Sequence, residues 1–347
     1  MAQNRLILIG TLFIIAAAFL DCIIGDPKSL PHPVKWMGNI IDKLRLLTEE
    51  ISGESRFKMR LGGILITLSL ISISLLIGLC IERLVFSNYL FIRSLGATVT
   101  ITMMGSCLAA KSLKDSIIEV LDYLDKKDSP KQLVFAKDKL SLIVGRDVWN
   151  MNKEEILRAC AETGSENSVD GIFAPLFWMI IGTILWDISP NLPGPLSLGL
   201  VFKATSTMDS MIGYKEKKLR WIGYYSARLD DLLTFIPCRL VCFTLPIISN
   251  RIIESPRLIK YALRDGSYDS SPNSGVSEGI FAYCARAQMG GDNYYKGKLT
   301  QKYIIAKGEP KPNRKSVVHI LQLSSRLEWS WIFTAFTYSI CTSINIQ

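Results

Sequence analysis

The chain has 347 residues, 49% of them hydrophobic and 20% charged, with 40 Lys and Arg against 31 Asp and Glu for a net charge of +9. This composition excludes a disordered chain of low hydrophobicity. With 24 Gly, 14 Pro and 8 Cys over such a length, it also excludes a collagen-like or disulfide-dense scaffold. The mean hydropathy of +0.25 reflects apolar residues gathered into long runs, the pattern of a membrane protein.

In chain order, Arg5 and the run Leu6–Leu20 have the outline of a signal peptide. The run continues past Ala16, Ala17 and Ala18, and Asp21 before Cys22 does not suit a lipoprotein cleavage site, so an uncleaved first membrane helix is expected. Leu61–Ile81 is free of charge and spans about 31 Å as a helix, matching a hydrocarbon core of ~30 Å. Leu90–Ala110 carries only Arg93, near its start, where a long side chain reaches the interface. Ile172–Trp186 follows, then Ile188–Phe202, whose Pro190, Pro193 and Pro195 make its start a turn and its helix short. Trp329–Gln347 closes the chain with two interfacial tryptophans, Trp329 and Trp331. Leu232–Asn250 is long enough to cross, but Arg239, Pro237 and Pro246 favour a half-inserted segment. All Lys and Arg except Arg5, Arg83, Arg93 and Arg239 fall in the long segments 21–60, 111–171, 203–231 and 251–328, which the positive-inside rule places in the cytoplasm.

The expectation is an all-α polytopic membrane protein, one domain over 1–347, with about six crossings, one half-inserted segment and helical cytoplasmic loops. Leu113, Ile117, Val120, Leu121 and Leu124 predict a helix ending before Pro130, and a second runs from Asn152 through Asp170, with Glu154 and Glu155 in its first turn. The positive excess is assigned to membrane sidedness rather than nucleic acid, since no basic stretch interleaves aromatics. No C-x-x-C occurs, and His32 and His319 lie far apart, so no zinc spacing exists. The lipid bilayer is the expected surrounding, and homo-oligomerisation is left open.

Four polar clusters lie beside apolar runs. Gly25–Val34, with Asp26, His32 and three prolines, is a stiff loop that reads equally as a helix-end turn or as a preformed binding loop. Glu162, Glu166 and Asp170, spaced i, i+4, i+8, set three carboxylates on one helical face with Asn167 beside them. The stripe reads either as a solvated acidic face or, at a membrane entrance, as a site whose mutual repulsion is relieved by a bound cation or cationic substrate, and Mg²⁺ fits such a set together with waters and phosphates. The third cluster, 205–231, holds Asp209, Arg228 and the Asp230–Asp231 pair. Arg228 is the better phosphate ligand there, because a guanidinium binds bidentately. The fourth comprises two Gly/Asn-rich loops, 271–275 with Asn273 and 290–297 with Asn293 and Tyr294, able to bring backbone N–H groups to an anion. Neither satisfies a P-loop, and no G-x-G-x-x-G, G-x-S-x-G or H-E-x-x-H occurs.

In this order the clusters resemble the CobD/CbiB family of cobalamin biosynthesis. Its G-D-P…L-P-H-P-V…G is matched over Gly25–Gly38 and its E-T-x-x-E-N-x-V-D-G over Glu162–Gly171. The T-x-D-S-M-x-G-Y…S-A-R-L-D-D-L…I-P-x-R-L pattern is similar to Thr207–Leu240, and S-P-N-x-G and G-G-x-N-Y-Y match 271–275 and 290–295. Gly164-Ser165, Ser206 and Val276-Ser277 depart from the family pattern without removing an ionisable residue. The resemblance implies attachment of (R)-1-aminopropan-2-ol or its O-phosphate to the propionate carboxyl of adenosylcobyric acid, usually written as ATP-dependent. Carried onto this chain, it makes Glu162, Glu166, Asn167 and Asp170 catalytic candidates. Asp26, His32, Asp209, Arg228, Asn273, Asn293 and Tyr294 become substrate-binding candidates, and Glu166, Asp170, Asp230 and Asp231 candidate Mg²⁺ ligands. Competing readings are a membrane Mg²⁺-dependent prenyl or CDP-alcohol transferase, whose D-x-x-D or D-x-x-x-D spacing is only partly met, and a non-enzymatic regulatory or transport protein.

Overall fold

The computed structural model describes residues 5–25, 33–125, 130–214 and 216–344. In chain order it forms α1 (Arg5–Ile24), α2 (Pro33–Ser52), α3 (Arg56–Val85), α4 (Leu90–Cys107), α5 (Ala110–Asp125), α6 (Pro130–Ser141) and α7 (Lys153–Ser168). A π-helical turn, Val169–Phe173, leads into α8 (Ala174–Ile188), followed by α9 (Pro195–Ile212), the single turn α10 (Leu219–Ile222) and α11 (Tyr224–Ile248). Then come α12 (Ser255–Gly266), α13 (Ser274–Ala285), the antiparallel hairpin β1 (Met289–Tyr295) and β2 (Lys298–Ile305), and α14 (Arg314–Ile344). The expected helical polytopic architecture holds, with this one hairpin added.

Five helical stretches among the described residues are long and apolar enough to cross a membrane: Leu6–Ile24, Arg56–Val85, Leu90–Asp125, Lys153–Ile188 and Tyr224–Ile248. Two differ from the sequence expectation. Leu232–Asn250, expected to be half-inserted, lies mostly within the 25-residue α11, whose length, about 37 Å at ~1.5 Å per residue, suffices to span. Pro237 and Pro246 are accommodated inside that helix rather than ending it. Ile172 does not begin a new helix; the chain passes from α7 through the π turn into α8 without a loop. Helices α9 and α14, which contain much of the other two expected crossings, are outside the set of five. Helix α9 carries Lys203, Asp209 and several Ser and Thr, and α14 carries Arg314, Lys315, Arg326 and Glu328.

The chain forms two compact units. One comprises Met1–Ala109, Ala174–Leu233 and Trp331–Gln347. Within it α1 packs on α4 and α8, while α3 packs on α2, α4, α9 and α10. Close approach uses small residues, as between membrane helices generally: a Cβ on Gly78 would lie 2.5 Å from Ser197 Cα, and one on Gly182 would lie 2.3 Å from the Gly194 carbonyl oxygen. Trp186, fully buried, meets Phe86 edge-on at 5.1 Å. Glu82, buried near the end of α3, accepts hydrogen bonds from Gly194 N–H (2.9 Å), Ser197 N–H (2.9 Å) and the Ser197 hydroxyl (2.5 Å). It thereby caps the N-terminus of α9, whose own N-cap, Gly194, has no side chain to do so.

The other unit comprises Ala110–Phe173 and Thr234–Ser330. Helix α5 buries Ile117, Val120, Leu121 and Leu124, the expected stripe, and packs on α6 and α7. Helix α7 also meets α13 and β1, and α12 packs on α13 and β2.

Glu82→Ala removes the acceptor for three donors in a buried setting. The expected result is a loss of about 1–3 kcal/mol in stability, read as earlier helix melting by circular dichroism in detergent.

Candidate functional site

Helix α7 starts as its sequence dictates. Asn152 accepts from Glu155 N–H at 3.0 Å, and the Glu155 carboxylate accepts from Asn152 N–H at 2.7 Å, a complete capping box. One face of α7 then carries Arg158, Glu162 and Glu166 at four-residue spacing.

Glu162 is buried, and both its oxygens are engaged. Oε2 accepts from Arg146 Nη2 at 2.5 Å, and Oε1 accepts from Gly290 N–H at 2.7 Å with Arg158 Nε 3.9 Å away. Arg146 also donates to Asn293 Oδ1, and Arg158 donates to the Gly290 carbonyl, to the Asp292 carbonyl (2.7 Å) and to Asn293 Oδ1 (3.1 Å). Two backbone ties hold Arg146 in place: Asp147 N–H donates to the Tyr294 carbonyl at 2.8 Å, and Gly297 N–H donates to the Asp147 carboxylate at 2.7 Å. Burial works against the Arg146 charge, but the Glu162 carboxylate more than offsets it and holds the guanidinium above its ordinary pKa.

Glu166, half-buried, accepts from the Ser274 hydroxyl at 2.8 Å. Ser274 opens α13, with Asn273 at the N-cap; Asn273 Oδ1 accepts from Arg239 Nη1 at 2.5 Å, and Arg239 Nη2 donates to the Pro272 carbonyl at 2.7 Å. Asp170, in the π turn, is within electrostatic reach of Cys238, the neighbour of Arg239. Asn167 is half-buried. The π turn carries more residues per turn than the α-helix before it, so straight α-helical spacing ends at Ser168, before Asp170.

Glu278, one turn into α13, is 3% exposed. Burial first, then the Glu162 and Glu166 carboxylates, push its pKa well above the usual carboxylate range, with Lys302 opposing. Lys302, on β2, donates to Asp269 at 3.1 Å. Burial opposes its charge, yet Glu278, Asp269 and Glu166 together raise its pKa.

Residues 290–295, expected from sequence to be a loop, form strand β1 instead, and the anion that their backbone meets is the Glu162 carboxylate on Gly290 N–H. The two-residue turn Lys296-Gly297, both at positive φ, closes the hairpin with Tyr295 opposite Lys298. Asn293 is buried with its oxygen held by two arginines, while Tyr294 is 45% exposed. The structure therefore sets these residues in two hydrogen-bonded groups of the second unit, Glu162 with Asn293 through Arg146 and Glu166 with the Asn273–Ser274 turn, and both carboxylates act on Glu278 to make one charged network. Sequence reasoning missed Arg146, Arg158, Glu278 and Lys302 in that network. The i, i+4 spacing of Arg158 to Glu162 and the lone acid in Val276–Cys284 were signals; nothing local marks Arg146 or Lys302.

In the first unit, Asp209 ends α9, and Asp209 and Asp231 both act electrostatically on Asp230. Arg228 is an exposed side chain 3.9 Å from Asp231. Asp26 and His32 lie outside the described residues. Among the described residues no group of three or more His, Cys, Asp or Glu side chains is placed to hold a metal ion.

Fold and site together define a polytopic helical membrane protein with a buried, arginine-neutralised carboxylate network. A family model described as CobD/Cbib protein matches residues 14–324. A Synechocystis protein described as Cobalamin biosynthesis protein CobD is 37% identical over 306 residues, 88% of this chain and 84% of its own length. Proteins of the same description are 37% identical in Clostridium acetobutylicum, over 88% of this chain and 90% of theirs, and 33% identical in Listeria monocytogenes, over 91% and 95%. No solved structure matches. The chain belongs to the CobD/CbiB family.

Arg146→Met leaves the Glu162 charge buried with its closest partner gone. The expected cost is about 3–5 kcal/mol, measured as thermal unfolding in detergent, and Glu162→Gln added to it should restore part of the loss.

Proposed function

We propose that this chain acts in cobalamin biosynthesis as a membrane-bound carbon–nitrogen ligase. It joins (R)-1-aminopropan-2-ol or its O-phosphate to the propionate carboxyl of adenosylcobyric acid, giving adenosylcobinamide or its phosphate. Family membership supports the pathway. The single structural observation supporting a reacting site is that Glu162 and Glu166, on one face of α7, hold the arginine that binds Asn293 and the Asn273–Ser274 start of α13, segments far apart in sequence.

The residues then divide by what they already hold. Glu162, with both oxygens engaged, positions Arg146, Arg158 and the start of β1 rather than reacting. Glu166 keeps one oxygen on Ser274 and is half-buried, which suits a proton acceptor. ATP would transfer its γ-phosphoryl group to the propionate oxygen, releasing ADP. The amine nitrogen would then attack the acyl carbon, phosphate would leave with the C–O electron pair, and the nitrogen's proton would pass to Glu166. Mg²⁺ is proposed as part of the ATP substrate complex, consistent with its preference for few carboxylates plus phosphates. Glu166 and Asp170 are its candidate ligands in one unit, and Asp230 and Asp231 in the other. Arg228, exposed, is the candidate for an anionic phosphate. The long basic segments are proposed to face the cytoplasm, where both substrates and ATP are available, an arrangement in which α11, although long enough, does not cross the membrane.

The test is a ligation assay on detergent-purified full-length protein, with adenosylcobyric acid, Mg²⁺ and either amine, with and without ATP, products read by mass. Product only with ATP is expected. Product without ATP overturns the acyl-phosphate step, and no product from folded protein overturns the ligase reading. Glu166→Gln is expected to lower kcat by about 10²–10⁴-fold with the amine KM little changed. An effect confined to KM removes the proton-acceptor role. Arg228→Ala is expected to raise KM for the aminopropanol phosphate and leave KM for the unphosphorylated amine unchanged, measured in the same assay.

A further inference from the structure

A cavity of about 200 Å³ opens between α12, α13 and the hairpin, lined by Asp265, Asp269, Glu278, Gly290, Lys302 and Tyr303 among others. This is well above the ~10–15 Å³ that one water needs. Two of its carboxylates are matched. Asp265 accepts from Tyr283 Oη (2.6 Å), Arg264 Nε (2.9 Å) and Ala306 N–H (3.2 Å), and Asp269 accepts from Lys302 and from Ser271 N–H (2.9 Å). Glu278 is different: it lines the cavity, is 97% buried by area against 3% exposed, and forms no hydrogen bond among the described residues. A buried carboxyl without a partner is costly, and here the lone acid faces space rather than packed side chains.

We propose that this cavity binds a small organic ammonium ion, with Glu278 as its carboxylate partner, and that it is the amine pocket of the ligase. The second half rests on the reading given under Proposed function; the first half does not. Charge balance selects the ligand class. Arg264 pairs with Asp265 and Lys302 with Asp269, so Glu278 feels the Lys302 charge but, among the described residues, has no cation in ion-pair contact. A divalent metal is disfavoured by the Lys302 ammonium in the same cavity, and among the described residues no group of three ligands is placed to hold one. The raised pKa of Glu278 adds a consistent detail. A neutral amine entering a cavity with a protonated Glu278 takes up that proton, forming an ammonium–carboxylate pair with no change in net buried charge. Before it attacks, the ammonium returns that proton to Glu278, and Glu166, which acts electrostatically on both Glu278 and Lys302, is the neighbouring acid able to receive the nitrogen's second proton as its bond forms.

The test measures binding of (R)-1-aminopropan-2-ol and of propane-1,2-diol, its neutral isostere, to detergent-purified full-length protein by calorimetry, with thermal unfolding in parallel. Wild type should bind the amine and not the diol. Glu278→Gln should weaken amine binding about 10- to 100-fold, the loss of a charge-assisted contact, while melting at the same or a higher temperature because an unpaired buried acid has been removed. Thr300→Trp, at the exposed rim of the cavity, gives a second variant that blocks entry and leaves Glu278 in place; it too should weaken amine binding. Unchanged amine binding in both variants, or equal binding of amine and diol by wild type, overturns the pocket. The ligation assay separates the two readings. Product formation by wild type with an unchanged amine KM in Glu278→Gln removes the pocket and keeps the ligase. Glu278-dependent amine binding without product keeps the pocket and removes the ligase.

Discussion

A carboxylate on a helix that runs on into an apolar stretch of membrane length must be neutralised where it stands, and Glu162 is that carboxylate. Its two oxygens draw in Arg146 from a distant bend, Arg158 from the preceding turn of the same helix and the backbone of β1. Once these are fixed, Asn293 is held by the same two arginines, and the hairpin is registered against α7. The remaining acids, Glu166 and Glu278, then face a site whose central charge is already balanced. Uncompensated burial of Glu162 would be among the most costly single features of the unit.

The same physical rule operates in the first unit with a different solution. Glu82 has no arginine; it is satisfied by the N-terminus of α9, whose backbone N–H groups need an acceptor that Gly194 cannot supply. Here a helix end and an acid resolve each other's deficits. Glycines at 78 and 182 make the approach close enough for that to happen. In both units the apolar bulk decides that helices pack, while a few buried polar groups decide how they are registered.

Glu278 breaks the pattern, and the break is informative. Natural chains rarely leave a buried acid without a hydrogen bond, and local inconsistencies of this kind concentrate at functional sites. The hairpin strand β2 contributes Lys302 to the same cavity, so the hairpin shares its lining with α12 and α13.

How much of this was legible in the sequence differs by element, for physical reasons. Hydrophobic run length is a property of the chain itself, so the helical membrane architecture could be read from Leu61–Ile81 and Leu90–Ala110. Cap chemistry is local, so the start of α7 at Asn152 was legible as well. The motif order pointed to the family, and residue spacing placed Glu162 and Glu166 on one face. The π turn at Val169–Phe173 was not legible, because no residue type demands it and only the packing around it selects it. Pro237 and Pro246 argued against a long helix at α11, and tertiary surroundings overrode that local preference. The hairpin turn at Lys296-Gly297 carried a local signal, but the flanking glycines and asparagine favoured reading a loop. Helix content, membrane character and family follow from run length and motif order alone. Which acids are neutralised and which are left facing space is settled by folding, because Arg146, Gly290 and Lys302 reach them across more than a hundred residues or from separate elements, and no periodicity encodes such pairings.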